Sequence, residues 1–372
     1  MVDRRVPPQS AVSQVSALLD SPEIVALIEE LEALRWTRRK GYPVRSLVGA
    51  CLVKSLYAIP TWSRTAALIA EHGALRDALG DAPSVYALYR FASKLRKHKP
   101  LLDLALDRIT SALRTELPEY GTDVAIDASD IPAFANGQRY VSKGGRERER
   151  FSDPDASWGH RSAVSTRKGG GFYGFKLHAA VCARTDLPIA WEVSTARRNE
   201  ASLADDLLAR VRERKFAPAT VALDKGYDVG PVYEAVERAG ARPIIPLRQT
   251  PAVKRGEHEA PTCEHGRWKH AGADFKRKLT KWRCPSGECS PKSVWRKACR
   301  LHPLVPRETK RWRELYRGRA SVERTFGRLK HDYGLAPLRV RRLERVALHA
   351  DLCMLAMLSQ ALTRARAVPL AA

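Results

Sequence analysis

Three carboxylates stand in sequence contexts that suit phosphoryl-transfer chemistry. Asp127 lies in the apolar run VAIDAS, Asp224 ends VALD, and Glu323 is the single acid between the ends of LYRGRASVERTFGRLKH. That last segment also carries Arg317, Arg319, Arg324, Arg328 and Lys330. Read as one helix over 315–331, at about 100° per residue, it puts Tyr316, Arg319, Glu323 and Lys330 on one narrow stripe. Gly327 leaves room one turn beyond the carboxylate. Val322, Phe326 and Leu329 gather on an adjacent face that can pack on a sheet. On its own, Glu323 would be half of an i,i+4 ion pair with Arg319, worth a few tenths of a kcal/mol. With Asp127 and Asp224 as distant partners it becomes more. Three carboxylates in one place repel, and a divalent cation relieves the repulsion. Mg2+ (or Mn2+) suits hard oxygen ligands and keeps positions for water and phosphate. A pair of such ions can activate an attacking oxygen and stabilise a leaving one. The flanking cations would then hold a phosphodiester backbone.

Three other acids compete. Asp123 opens the first strand, Asp130 lies beyond its expected end, and Asp228 follows the Asp224 turn. Lys225 and Tyr227 are expected to line the site.

Positioning these groups takes a sheet and a helix. TDVAIDAS (122–129), GFKLHAAVCA (174–183) and LPIAWEVST (187–195) read as strands, the last two joined by a turn at Arg184–Asp186. Asn199 can cap a helix running to about Lys215. ATVALD (219–224) and RPIIPL (242–247) read as strands separated by a helix over Pro231–Ala239. The first links are too short for parallel crossovers, so those strands are antiparallel; the later ones alternate with helices and are parallel. The result is an α/β fold, a mixed sheet with flanking helices in the order of the ribonuclease H-like fold. Between 130 and 170 the chain reads as a polar loop, including the Arg-rich RYVSKGGRERERF (139–151). Residues 248–307 lose periodicity and read as an irregular basic insertion. An apolar helix follows at about 344–366; its Val346–Leu358 run is interrupted by His349 and Asp351, and it reads as a buried helix rather than a membrane span.

Residues 15–113 read as helical. VRSLVGACLVKSLYAI (44–59) is one helix, a second starts near Thr61 or Ser63, and a third is SVYALYRFASKLRK (84–97). In the third, Tyr86, Leu88, Tyr89, Phe91 and Leu95 are expected in the core. Arg90, Lys94, Arg96 and Lys97 stay outside, with Arg90, Lys94 and Lys97 as candidate DNA contacts. Three short helices ending in a basic one suit a helix-turn-helix-like DNA binder. The expected division is therefore residues 1–117, helical and DNA-binding, and 118–366, catalytic, interrupted by the insertion.

The 372-residue chain has a formal charge of +24 and a pI near 10.1. Residues 254–345 hold 26 Lys/Arg against 10 Asp/Glu, so two thirds of the excess sits in a quarter of the chain. That concentration marks a face for a polyanion, nucleic acid first. The N-terminus lacks the apolar core of a secretory signal, and a cytoplasmic protein is expected. Seven cysteines, four of them clustered, fit reduced thiols or a metal better than disulfides. Cys263, His265, Cys284, Cys289, Cys299 and His302 all fall in the insertion. Cys284, Cys289, Cys299 and His302 are the best four for a structural Zn2+. Trp268, Trp282 and Trp295 sit there too, any of them able to stack on an unpaired base.

The spacing Y-x2-R-x3-E-x6-K of Tyr316, Arg319, Glu323 and Lys330 resembles the signature of bacterial insertion-sequence transposases of the DDE class. AIDAS, YGFKLHAAV (173–181) and LDKGYD (223–228) look like strand motifs of the same family. GYPVRSLVGACLVKSLYAIPTWSRTAALIAEHGALRDALG (41–80) is similar to its preceding helical domain. The resemblance implies Asp127, Asp224 and Glu323 as catalytic acids and Mg2+ or Mn2+ ligands. It gives Tyr316, Arg319 and Lys330 to DNA near the cut. It implies hydrolysis at an element end, joining of the freed 3′-hydroxyl to target DNA, often through a DNA hairpin, and a homodimer on paired ends. In hairpin-forming relatives a tryptophan from the insertion supports a flipped base. Two other readings stay open: a non-catalytic DNA-binding derivative, and a metal-dependent nuclease without strand joining.

Overall fold

A computed structural model describes residues 11–34, 41–161, 168–248 and 260–367. The first ten residues and 35–40 of the expected helical domain, 162–167 of the expected loop, and 249–259 of the expected insertion lie outside the described residues.

Seven helices come first: α1 (Ala11–Leu19), α2 (Pro22–Ala33), α3 (Val44–Leu56), α4 (Trp62–Glu71), α5 (Gly73–Leu79), α6 (Val85–Lys97) and α7 (Lys99–Glu116). Their starts follow local chemistry. Thr61 Oγ1 accepts the Arg64 N–H at the head of α4, and Ser84 Oγ accepts the Ala87 N–H at the head of α6, each satisfying an amide the helix cannot. In α6, Leu88, Phe91 and Leu95 are buried as expected, but Tyr86 and Tyr89 are exposed. The apolar stripe of α6 is narrower than its count of large residues suggests. Arg90 lies over the Tyr86 ring at 4.6 Å instead.

The sheet begins with β1 (Asp123–Pro132) and continues with β2 (Ser157–Arg161), β3 (Gly170–Cys182), β4 (Pro188–Thr195), β5 (Thr220–Ala222) and β6 (Arg242–Ile244). β3 is antiparallel to β1, β2 and β4, while β5 and β6 run parallel to β1, in the order β3–β1–β5–β6. β2 and β4 share the far edge of β3, pairing with its first and second halves. The expected directions hold; β2 is not expected from the sequence, since its SWGHR has no apolar alternation and its positions alternate between half-buried and exposed. At the close approach of β1 and β3 a side chain on Gly174 would meet the Ile131 carbonyl oxygen at 2.3 Å. Asn199 caps a short 3-10 turn (Glu200–Leu203), which leads into α8 (Ala204–Glu213). Helix α9 (Gly230–Arg238) links β5 to β6.

The insertion is not irregular. It holds a hairpin, β7 (Thr262–Cys263) with β8 (Gly266–Arg267), and a three-stranded antiparallel sheet of β9 (Lys269–Asp274), β10 (Leu279–Arg283) and β11 (Ser293–Lys297). Charged residues fill its exposed positions and mask the alternation. Its own small core is Ala260, Trp268, Trp282 and Cys284.

The helix expected over 315–331 is two helices, α10 (Lys310–Arg317) and α11 (Ala320–His331). Between them the amides of Gly318 and Arg319 bond back three residues, to Leu315 and Tyr316, so the junction is tightened rather than open. α10 begins earlier than expected because Thr309 Oγ1 caps it by accepting the Trp312 N–H. Last comes α12 (Leu343–Ala367), 25 residues. Among the described residues it is the one helix long and apolar enough to cross a membrane, but 78% of its most apolar window is buried in the protein. It packs on α3, α7 and β4. Asp351 on it accepts the Trp191 indole N–H at 2.8 Å and pairs with Lys99 at 3.1 Å. One hydrophobic core thus runs through the helical region and the sheet.

Candidate active site

β1 and β5 pair in parallel as far as Ala125 opposite Ala222. Two residues further along each chain stand Asp127 and Asp224. Asp127 therefore stands midway along β1, which runs on to Pro132, and Asp224 just past the end of β5, so the two acids come level on neighbouring strands. The apolar residues before them, Val124, Ala125, Ile126 and Val221, Ala222, Leu223, are buried and fix the strands in the sheet centre.

Glu323 arrives on α11, which packs across β1 and β3 through Val322, Phe326 and Leu329. The helix is pinned at the β3–β4 turn. Arg324 grips both Asp186 carboxylate oxygens at 2.7 Å, and Thr325 Oγ1 donates to the Asp186 carbonyl at 2.9 Å. Open space lies beside Gly327, as expected.

Arg319 joins the elements. Its Nη1 donates to Asp127 Oδ2 at 2.8 Å, and its Nη2 donates to Glu323 Oε1. One guanidinium therefore bridges an acid of the sheet and an acid of the helix. Its plane also lies 6.0 Å from the Tyr316 ring, which stacks on Trp312 at 4.8 Å and 13°. Lys330 is half-buried on the same helix as Glu323.

The electrostatics are strained by burial. Desolvation pushes the Asp127 carboxyl up to about 7; the Ala128 N–H and Arg319 pull it down, and the charges of Asp224 and Glu200 push it up again. Asp224 Oδ1 accepts the Gly226 N–H at 2.7 Å. Beneath these groups Tyr227 is buried. Desolvation, with Asp127, Glu200 and Asp224 adding to it, holds its hydroxyl far above the ordinary tyrosine range. Among the described residues that hydroxyl has no hydrogen-bond partner. The carboxylates of Asp127, Asp224 and Glu323 are hard oxygen donors of the kind Mg2+ or Mn2+ takes, but the three do not close to within 4.8 Å of one another, and Arg319 stands between Asp127 and Glu323.

The rival acids are engaged elsewhere. Asp123 accepts from Thr220 at 2.6 Å and pairs with Arg184; Asp130 pairs with Arg161. Asp228 takes both arms of Arg300 at 2.9 and 2.8 Å, the Tyr233 hydroxyl and the Arg248 N–H, and so ties the insertion to the core. Glu200 was missed by the sequence reading. It is ion-paired to Lys176 at 2.6 Å and acts on both Asp127 and Tyr227. Its only signal was its place after the Asn199 cap.

The basic surfaces divide. On α6, Arg90 and Lys97 are exposed and Lys94 is half-buried. In the insertion, Trp268 and Trp282 belong to the small core, whereas Trp295 is 50% exposed with Lys281 Nζ 5.6 Å from its ring centre. The 139–151 loop is closed by an Arg139–Glu147 ion pair at 2.8 Å.

The cysteines regroup. Cys284 and Cys289 meet as expected, but their third sulfur is Cys263. Cys284 follows one end of the β10–β11 ladder, whereas Cys299 follows the other, where Ala298 bonds to Lys278. Five residues of strand, about 17 Å, separate those ends. Cys299 is exposed, and the His302 ring faces Trp282 at 6.2 Å.

No curated protein matches the sequence. Among solved structures, the chain is similar to the piggyBac transposase synaptic complex with hairpin DNA, at 11% identity and a TM-score of 0.42, over 95% of this chain and 75% of that one. At that score the likeness fixes neither fold nor residue correspondence. The model of the transposase DDE domain matches residues 121–359. This span runs from β1 into α12 and takes in Asp127, Asp224 and Glu323, and the chain belongs to that transposase DDE-domain family.

Proposed function

We propose that the protein is the DNA transposase of a bacterial insertion sequence, cutting element ends and joining them to target DNA. Asp127, Asp224 and Glu323 serve as its Mg2+ or Mn2+ ligands. The observation that carries this reading is the bridge from Asp127 through Arg319 to Glu323, with Asp224 on the neighbouring strand end. The antiparallel-then-parallel sheet order supports a ribonuclease H-like core around it. When bound, the cations supply activation of the attacking oxygen and charge stabilisation of the leaving one in phosphoryl transfer.

The chain's own residues do the rest. Arg319 offsets the buried Asp127 charge and holds Glu323 toward the sheet. Trp312 backs Tyr316, fixing a ring and a hydroxyl at the edge of the site. Tyr316, Arg319 and Lys330 contact the phosphodiester backbone near the cut, while Arg90, Lys94 and Lys97 on α6 contact the element end. Trp295 is the insertion tryptophan placed in solvent among cations, and it stacks on an unpaired base. Two copies act together on paired ends.

The test is strand transfer with pre-cut ends, in Mg2+ or Mn2+, for the native chain and for Asp127→Ala, Asp224→Ala and Glu323→Ala. Cutting and joining by the native chain, lost in each variant with end binding retained, is expected. Binding without cutting would make it a DNA-binding derivative. Cutting without joining would make it a nuclease. Activity surviving any of the three substitutions would overturn the assignment of the acids.

A further inference from the structure

Outside the carboxylate site, one group of ligating atoms stands ready for a different metal. Sγ of Cys263, Cys284 and Cys289 lie within 4.8 Å of one another. Cys263 Sγ and Cys284 Sγ are 3.8 Å apart. A disulfide needs about 2.05 Å. A tetrahedron with Zn–S bonds of about 2.3 Å has edges of about 3.8 Å. The observed separation matches that edge, and it is also the reach of the thiol–thiol hydrogen bond these two groups make without metal.

The elements carrying the sulfurs explain the convergence. Cys263 ends β7 in the hairpin with β8, Cys284 directly follows β10, and Cys289 lies in the turn toward β11. In that turn Ser286 Oγ lies 3.3 Å from Cys284 Sγ and also accepts the Glu288 N–H at 3.2 Å. The turn therefore folds back over the sulfur it starts from. His265 occupies the β7–β8 turn, two residues after Cys263. Its Nε2 faces the carboxylates of Glu264 at 3.4 Å and of Glu288, the neighbour of Cys289, at 3.6 Å, so the ring stands beside the sulfur group and turns toward it to ligate.

The surrounding structure gives such a metal work to do. The insertion's buried apolar core is Ala260, Trp268, Trp282 and Cys284. A two-residue hairpin and a three-stranded sheet around so few residues are marginal alone. A thiolate-bound cation would staple the hairpin to the β10–β11 turn. The structural sites of small domains contribute folding free energy in this way.

We infer that Cys263, Cys284 and Cys289 bind one structural Zn2+, with His265 as the fourth ligand. Sulfur donors with one imidazole exclude Mg2+ and select a tetrahedral, borderline-soft ion. This site is independent of the transposase reading and holds whether or not the carboxylates cut DNA.

The experiment uses the full chain expressed with added Zn2+, with metal measured by mass spectrometry and thiols counted after denaturation without reductant. Expected are one zinc per chain and seven titratable thiols, matching the seven cysteines. Replacement by Co2+ should give intense visible d–d bands and a thiolate charge-transfer band. Cys284→Ser and Cys289→Ser should each lose at least 90% of the bound metal, while Cys299→Ser keeps it. His265→Ala should bind zinc at least tenfold more weakly, with a changed Co2+ spectrum. The native-chain measurements stand even if a Cys variant fails to fold. Five thiols, signifying a disulfide, would overturn the inference, as would a native chain without stoichiometric zinc. Equal zinc loss in Cys299→Ser would overturn the ligand set. An unchanged affinity and spectrum in His265→Ala would remove His265 from it.

Discussion

On the proposed assignment of Asp127 as a metal ligand, metal binding should depend on pH in the neutral range. Its carboxyl moves from 3.8 to about 7 because burial penalises the charge more than Arg319 and the Ala128 amide repay. That displacement corresponds to about 4 kcal/mol. The sign follows from proton counts. Between about pH 4 and 7 the folded carboxyl keeps its proton while the unfolded chain has lost it. Stability from this group is therefore full below about pH 4 and lost as pH rises to about 7. A divalent ion needs the ionised form, so proton and metal compete. With one proton displaced, apparent affinity at pH 6 is about tenfold weaker than at pH 8. Mn2+ binding to the DNA-free protein, followed by electron paramagnetic resonance at pH 6, 7 and 8, measures this directly. Asp127→Asn should bind weakly and without pH dependence across that range. A native half-saturation concentration that is the same at pH 6 and pH 8 would refute the claim that Asp127 is a desolvated ligand.

Other perturbations test the supporting geometry. Arg319→Ala should destabilise the metal-free protein by about 3 kcal/mol at pH 8 in urea denaturation, since it strands a buried carboxylate. The loss should be smaller at pH 6, where Asp127 carries a proton. Asp228→Ala removes the Arg300 clamp and should make the insertion cleavable by protease under conditions where the native chain is not. Gly174→Ala forces a Cβ onto the Ile131 carbonyl and should cost at least about 2 kcal/mol in thermal unfolding. Arg90→Ala should weaken binding to element-end DNA and lower the salt slope by about one.

Much of this was legible because apolar strand runs and acids coincide. VAID and VALD declare buried strands by composition, which brings Asp127 and Asp224 level on neighbouring strands; that β1 runs on past Asp127 to Pro132 is not legible, because the polar Asp130 interrupts its apolar run. Glu323 was legible through the spacing of its helix. The break at Gly318 was not, because local propensity does not reveal two helices that meet at a tightened turn. The misjudged tyrosines of α6 show a related limit: Tyr86 and Tyr89 are apolar enough for a core yet belong to a surface shared with Arg90. The insertion was opaque because its strands are short and heavily charged. The choice of Cys299 over Cys263 failed for the same reason, since which end of a hairpin a residue occupies depends on register. Glu200 acts through space on residues distant in the chain, and no local pattern announces that.

The clamp between Arg300 and Asp228 has a mechanical consequence. Asp228 lies four residues beyond Asp224 on one short loop, and Arg300 follows directly after the inserted sheet. The appendage is therefore tethered: its orientation is gauged against the loop that carries Asp224, one of the acids proposed for the site. Anything lying along Trp295 and its cationic neighbours is thereby held at a set offset from the carboxylates. Tugging on the appendage would load Asp228 and, through the loop, its neighbour Asp224.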